Sequence, residues 1–169
     1  MNLVVTAVSD GAWLDWGVGK KRAAIGPGGI AVKGGEGDGI TPRGSFPIRE
    51  VFYRADRVKN LQIALPLWKI AKDDGWCDAP DDPNYNRLVK LPYPASAETL
   101  WREDAAYDLI VPLGYNDAPV IACAGSAIFL HVARADFRPT EGCVALALAD
   151  LLTMLSEADG ESQIIVEAG

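Results

Sequence analysis

Apolar residues along most of the chain come in short alternating stretches and short runs, not at helical spacing, which is the pattern of strands. Residues 3–8 and 12–18 are two such stretches around Ser9-Asp10-Gly11, and they predict an opening hairpin. Short apolar runs between Ile48 and Leu67 predict paired strands. Residues 107–113 and 119–130 read as two buried strands separated by Gly114-Tyr115-Asn116-Asp117, the second delivering His131 at its end. One stretch changes period. From Ala149 to Ala158, Leu151, Leu152, Met154 and Leu155 keep helical spacing; Asp159-Gly160 then stops the helix before a closing strand from Ser162 to Glu167. Residues 72–96 read as loop, and their acidic spacing does not match a calcium site. Lys20-Lys21-Arg22 reads as a solvated turn. The pattern predicts a mainly β fold, a sandwich of two packed mixed sheets with one or two short helices. Residues 1–169 are expected to form one domain.

Composition agrees, with 17 glycines and 11 prolines that imply many turns. The glycine-dense stretch Gly26–Gly39 lacks the strand context of a dinucleotide site and the Lys-Ser/Thr of a phosphate loop, so no cofactor is expected. A net charge of −7 and no basic cluster beyond Lys20-Lys21-Arg22 argue against nucleic acid. No apolar stretch approaches the ~18 residues needed to cross a bilayer, so no transmembrane segment is expected. The opening residues lack a basic leader and read as a strand, which implies a cytoplasmic protein or an export signal not visible in this sequence. Three cysteines leave at least one thiol unpaired. Cys77 and Cys123 are open to a disulfide or to two buried thiols. Trp76, Tyr85, Tyr93 and Trp101 are candidates to line a cleft, or to pack against the sheet.

The candidate chemistry lies late in the chain. His131 is the only histidine, and Cys143 follows it by 12 residues across a polar loop containing Pro139 and Gly142. A loop leaving a buried strand can fold back so that its far end passes the strand's last side chain. An imidazole beside a thiol can take its proton, and a thiol so paired is expected to titrate below the ~8.5 of a free cysteine. Backbone N–H groups at Gly142 and Cys143 could face the oxyanion of a tetrahedral intermediate. Two other readings remain open: a zinc-binding module built on Cys77, Cys123, Cys143 and His131, though no Cys-x-x-Cys pair is present, and a non-catalytic wall-binding domain. A papain-like enzyme is disfavoured because the cysteine follows the histidine.

Two segments resemble one family. Ser126-Ala-Ile-Phe-Leu-His131, followed by Thr140-Glu-Gly-Cys143-Val-Ala-Leu146, resembles the catalytic signature of the L,D-transpeptidase (YkuD-type) domain. Gly37-Asp38-Gly39-Ile40-Thr41-Pro42-Arg43-Gly44-Ser45-Phe46 resembles its second, glycine- and Thr-Pro-containing hallmark. The similarity runs from about Gly34 to Ile165. It implies a YkuD-like sandwich and a periplasmic acyltransferase that needs no metal or cofactor. Peptidoglycan stem peptides would serve as donor and acceptor, and carbapenem-type compounds as inhibitors. Cys143 inherits the nucleophile role, His131 the base, and the Gly142 and Cys143 amides the oxyanion hole. Thr140 takes the motif's hydroxyl position. Three departures stand out: Glu141 replaces the second histidine, Ala145 the arginine two residues after the cysteine, and the loop is short. They imply a divergent branch with an unusual scissile bond or acceptor, for example a 1-3 rather than a 3-3 cross-link. Hydrolysis by a peptidase or amidase shares the same acyl-enzyme. Arg134 and Arg138 are candidates to supply the missing positive charge, and Thr140, Glu141, Tyr93 and Trp76 to contact substrate.

Overall fold

The structure, a computed structural model, describes residues 1–169. Its elements in chain order are β1 (Asn2–Val8), β2 (Gly11–Asp15), β3 (Lys20–Ala24), β4 (Ile30–Ala31), β5 (Thr41–Pro42), β6 (Gly44–Pro47), β7 (Val51–Tyr53) and β8 (Leu67–Lys69). There follow β9 (Asp74–Cys77), β10 (Leu88–Lys90), β11 (Ala97–Thr99), β12 (Leu109–Pro112), β13 (Phe129–Val132), β14 (Val144–Leu146), α1 (Leu148–Glu157) and β15 (Gln163–Glu167).

The opening hairpin forms as its alternation implies. β1 and β2 pair antiparallel with Val8 opposite Gly11, and Leu3, Val5, Ala12 and Leu14 point inward. The helix and closing strand also form. α1 buries Leu151, Met154 and Leu155, each worth about 2 kcal/mol of transfer free energy, and Asp150 sits in its first turn where the helix dipole favours a negative charge.

The fold is mainly β, its sheets are mixed, and it has one helix. The two layers expected as separate sheets are halves of one ladder of ten strands, ordered β6-β15-β1-β2-β3-β14-β13-β12-β7-β8. The ladder curls, so that Leu3 of β1, Ile164 of β15 and Val51 of β7 meet in one core of 24 buried residues that also takes up α1.

Three expectations require correction. Lys20-Lys21-Arg22 is not a turn; it begins β3, whose Ala23 and Ala24 are buried against β14. The charges mask a strand whose inward positions are alanines. Residues 119–130 are not one strand, since only Phe129–Val132 forms β13. The apolar residues before it fold into a loop around Asn116, whose side chain accepts from the Ile121 N–H and donates to the Ile121 and Gly125 carbonyls. Residues 72–96 are not all loop, because they contain β9 and β10. With β11 these form a small sheet, ordered β10-β9-β11.

That small sheet covers the other face of the main one. Along β12 and β13, Leu109, Val111 and Leu130 belong to the large core, while the alternate residues Ile110 and Phe129 belong to a second cluster with Tyr107, Leu100 and Cys143. Trp76 of β9 meets Phe129 edge-on, with ring centroids 5.1 Å apart, and so docks the small sheet on β13.

Candidate active site

β13 and β14 are parallel neighbours with His131 opposite Ala145 and Leu130 opposite Val144. Parallel neighbours cannot be joined by a tight turn. Residues 133–143 therefore leave the end of β13, cross over, and enter β14 from its start. This return sets Cys143 level with Phe129, one pleat below His131, with both side chains on the face away from the large core. They open into one cleft of about 570 Å³. Cys143 is 7% exposed and His131 9%, so each reaches the cleft from an otherwise buried position.

The backbone beneath Cys143 is clamped. The Thr140 hydroxyl donates to the Cys143 carbonyl at 2.7 Å and accepts from the Gly142 N–H at 3.2 Å. The fully buried Thr41 hydroxyl donates to the same carbonyl at 3.4 Å and accepts from the Gly26 N–H at 2.9 Å. Gly142 has φ of 120°, and a Cβ there would lie 2.8 Å from the Ile40 carbonyl oxygen. Only glycine fits this turn. The two sequence segments singled out above thus pack directly on one another. Thr140 faces inward as a clamp although it also borders the cleft, and its hydroxyl occupies the Gly142 N–H. The Cys143 N–H bonds to no protein acceptor, so of the two amides expected at an oxyanion site it is the free one.

The thiol is protonated at rest. Burial pushes Cys143 up to about 12, Glu98 and Glu141 push the same way, and the Phe129 N–H on its sulfur, at 3.3 Å, offsets only part of this. Sγ donates to the Ala127 carbonyl at 3.2 Å, and no hydrogen bond joins it to His131. The expectation of a depressed thiol is therefore overturned, because a sulfur this buried with carboxylates nearby holds its proton. Burial also lowers His131 to about 4, against a partial rise from the Val132 carbonyl that its Nδ1 meets at 3.0 Å. With Nδ1 donating to that carbonyl, Nε2 carries the free lone pair. A neutral thiol and a neutral imidazole can exchange one proton as the sulfur attacks, with no standing ion pair.

Among the candidate substrate contacts, Arg134, Arg138, Thr140 and Glu141 border the cleft. Arg134 pairs with Asp104 at 3.2 Å, whereas the Arg138 and Glu141 side chains have no protein partner. Trp76 and Tyr93 do not border it. Trp76 donates to Asn86 and packs on Phe129, and the Tyr93 hydroxyl donates to Asp82 and accepts from Asn84. Cys77 is buried, Cys123 exposed, and all three cysteines are free thiols. No group of three or more His, Cys, Asp or Glu side chains is placed to hold a metal ion, so the zinc reading has no site. Sequence reading missed Glu98, Arg102, Tyr107 and Lys33, which also line the cleft. Glu98 and Arg102 lie four residues apart in a segment of short polar runs, and that spacing was the available signal.

Residues 5–166 match the family of L,D-transpeptidase catalytic domains known as YkuD. The chain belongs to this family. A crystal structure of Mycobacterium tuberculosis L,D-transpeptidase 1 superposes with a TM-score of 0.43 at 12% identity, over 99% of this chain and 60% of that one. At that TM-score the likeness adds nothing to the family match. A comparison with curated proteins found no match. L,D-transpeptidases act on peptidoglycan and are usually extracytoplasmic, and no helix of this one is long and apolar enough to cross a membrane. In this L,D-transpeptidase domain Ala145, which stands where relatives commonly carry arginine, is 1% exposed beside His131. The cleft's unpaired positive charge comes instead from Arg138 on the crossover loop.

Proposed function

We propose that the domain cross-links peptidoglycan stem peptides through a Cys143 acyl-enzyme, with His131 as the base. Sγ attacks a donor carbonyl carbon while its proton passes to His131 Nε2. The tetrahedral intermediate's oxygen meets the Cys143 N–H, and the C–N bond then breaks as the imidazolium protonates the leaving amine. An acceptor amine attacks the thioester, its proton passes to His131, and Sγ leaves with a proton returned from the imidazolium. Arg138 and Arg134 hold stem carboxylates on the loop side, and Glu141 faces the same space. The reaction needs no metal or cofactor, and its setting is the periplasm. One observation carries this reading: His131 on β13 and Cys143, which immediately precedes the adjacent parallel strand β14, open into the same cleft.

The test is incubation with purified muropeptides, followed by mass spectrometry. Dimers that appear with the wild type and not with Cys143→Ala support the reading, and the fragment masses tell a 3-3 link from a 1-3 link. Monomers that are shortened and never joined would make the domain a peptidase. A carbapenem should add its mass to Cys143 alone, and labelling elsewhere would remove Cys143 from the nucleophile's role.

A further inference from the structure

His131 makes one hydrogen bond, from Nδ1 to the carbonyl of the next residue, and no carboxylate touches it. In serine-protease triads a buried carboxylate holds the imidazole in the right tautomer and orientation. One bond to a backbone neighbour leaves the ring free to turn about its own side-chain axis unless packing stops it. The packing here is Tyr107. Its ring, 6% exposed, meets the imidazole edge-to-face, with centroids 5.5 Å apart at 78°, and meets Phe129 at 5.8 Å and 79°. The tyrosine is itself anchored. Its hydroxyl donates to Glu98 Oε1 at 2.5 Å, and the Arg102 guanidinium lies 3.8 Å from the same oxygen and 5.0 Å from the tyrosine ring. Glu98 comes from β11, so the small sheet anchors the tyrosine that packs on His131.

We propose that Tyr107 is the positioning residue for His131, its ring holding the imidazole with Nδ1 on the Val132 carbonyl and Nε2 bare. This rests on the reading of His131 as the base. A carboxylate behind the ring would raise its basicity, whereas an aromatic edge fixes the orientation without adding charge. That suits a pair that is neutral at rest, since no standing imidazolium has to be stabilised. Glu98 and Arg102 act one step further out, by fixing the tilt of the phenol.

The chain's single histidine makes the test direct, because the imidazole nitrogen NMR spectrum of the whole protein contains one ring. Wild type should show the Nδ1-protonated tautomer at neutral pH. Tyr107→Leu, or Tyr107→Met where leucine does not fold, should show mixed tautomers and a titration midpoint displaced toward the ordinary ~6.5. Carbapenem acylation of Cys143 should slow by at least about 10-fold in that variant, with little change in half-saturation. Tyr107→Phe keeps the ring and should restore both tautomer and rate. A folded Tyr107→Leu or Tyr107→Met with the wild-type tautomer and midpoint would overturn the proposal, as would Tyr107→Phe behaving like leucine. The spectrum needs no substrate, so its result stands apart from the cross-linking assay. A disturbed tautomer with undiminished acylation would uphold the positioning and remove His131 as the base.

Discussion

Acidifying the protein should cost it stability through His131, by an amount that the burial of the ring sets. The imidazole is lowered from 6.5 to about 4 in the folded state, so between those values the unfolded chain binds a proton that the folded chain does not. Stability therefore falls as pH falls through this window, and the full contribution is present only above about 6.5. A displacement of roughly 2.5 units at ~1.36 kcal/mol per unit gives about 3 kcal/mol once the ring is forced to protonate, of which about 2 kcal/mol is already lost at about pH 5. Urea unfolding followed by tryptophan fluorescence, from about pH 7.5 to 5, reads the loss. Carboxylates also titrate near the bottom of this range, so the informative quantity is the stability of wild type minus that of His131→Gln. The carboxylate contributions cancel in this difference, and the histidine's does not. The difference should decline by about 2 kcal/mol from pH 7.5 to 5, moving in the glutamine variant's favour. A difference that stays flat would mean that the folded ring protonates as readily as a free one, and the neutral-pair account of the cleft would fall with it.

Other expectations follow from the same geometry. Cys143→Ala should abolish turnover at a stability cost of about 1 kcal/mol, whereas Cys77→Ala and Cys123→Ala should keep turnover, as muropeptide assays and urea melts would show. Iodoacetamide at neutral pH should modify exposed Cys123 first, and the rate at Cys143 should climb steeply with pH because its thiol is raised to about 12; peptide mapping that finds Cys143 labelled first would contradict a protonated resting thiol. Gly142→Ala forces a Cβ to within 2.8 Å of the Ile40 carbonyl at a positive φ, so it should lose about 1–3 kcal/mol in a thermal melt together with most turnover. Thr140→Val removes one hydroxyl clamp and leaves the Gly142 N–H unpaired; a drop in acylation rate with the carbapenem mass still on Cys143 is the expected result.

The elements that could be read from the chain are those whose burial is one-sided and uninterrupted. β1 and β2 alternate cleanly, and α1 repeats Leu151, Met154 and Leu155 on one stripe, so local pattern and tertiary position agree. β3 was hidden because its inward residues are alanines flanked by Lys20, Lys21 and Arg22, and small side chains give no hydrophobic signal. The loop before β13 was over-read for the opposite reason. Val120, Ile121 and Ala122 are apolar, yet Asn116 ties them into turns and leaves Ile121 60% exposed. The meeting of His131 and Cys143 in one cleft was legible as two residue types one loop apart. The protonation state of that pair was not, because it depends on how deeply the sulfur sits and on Glu98, which a separate sheet brings in from 45 positions upstream of Cys143. Tyr107 was invisible as a site residue for the same reason, and Thr41, though part of the Thr-Pro segment that resembles a family hallmark, takes its clamping role only once distant strands are adjacent.

The first strand pairs in parallel with the last, Asn2 opposite Gln163 and Thr6 opposite Glu167, and β2 and β3 carry the ladder from β1 on to β14. During synthesis the opening hairpin, complete at Asp15, must therefore wait for about 150 further residues before its open edge is covered by β15. Until then Val5 and Leu14 have no closed core, and the hairpin offers an exposed edge to any other nascent chain or holdase. The seam is therefore a late and slow step of folding, since closing so large a loop precedes its reward. β14, the strand that follows Cys143, is flanked by β3 and β13 and so depends on the seam only through β1, β2 and β3.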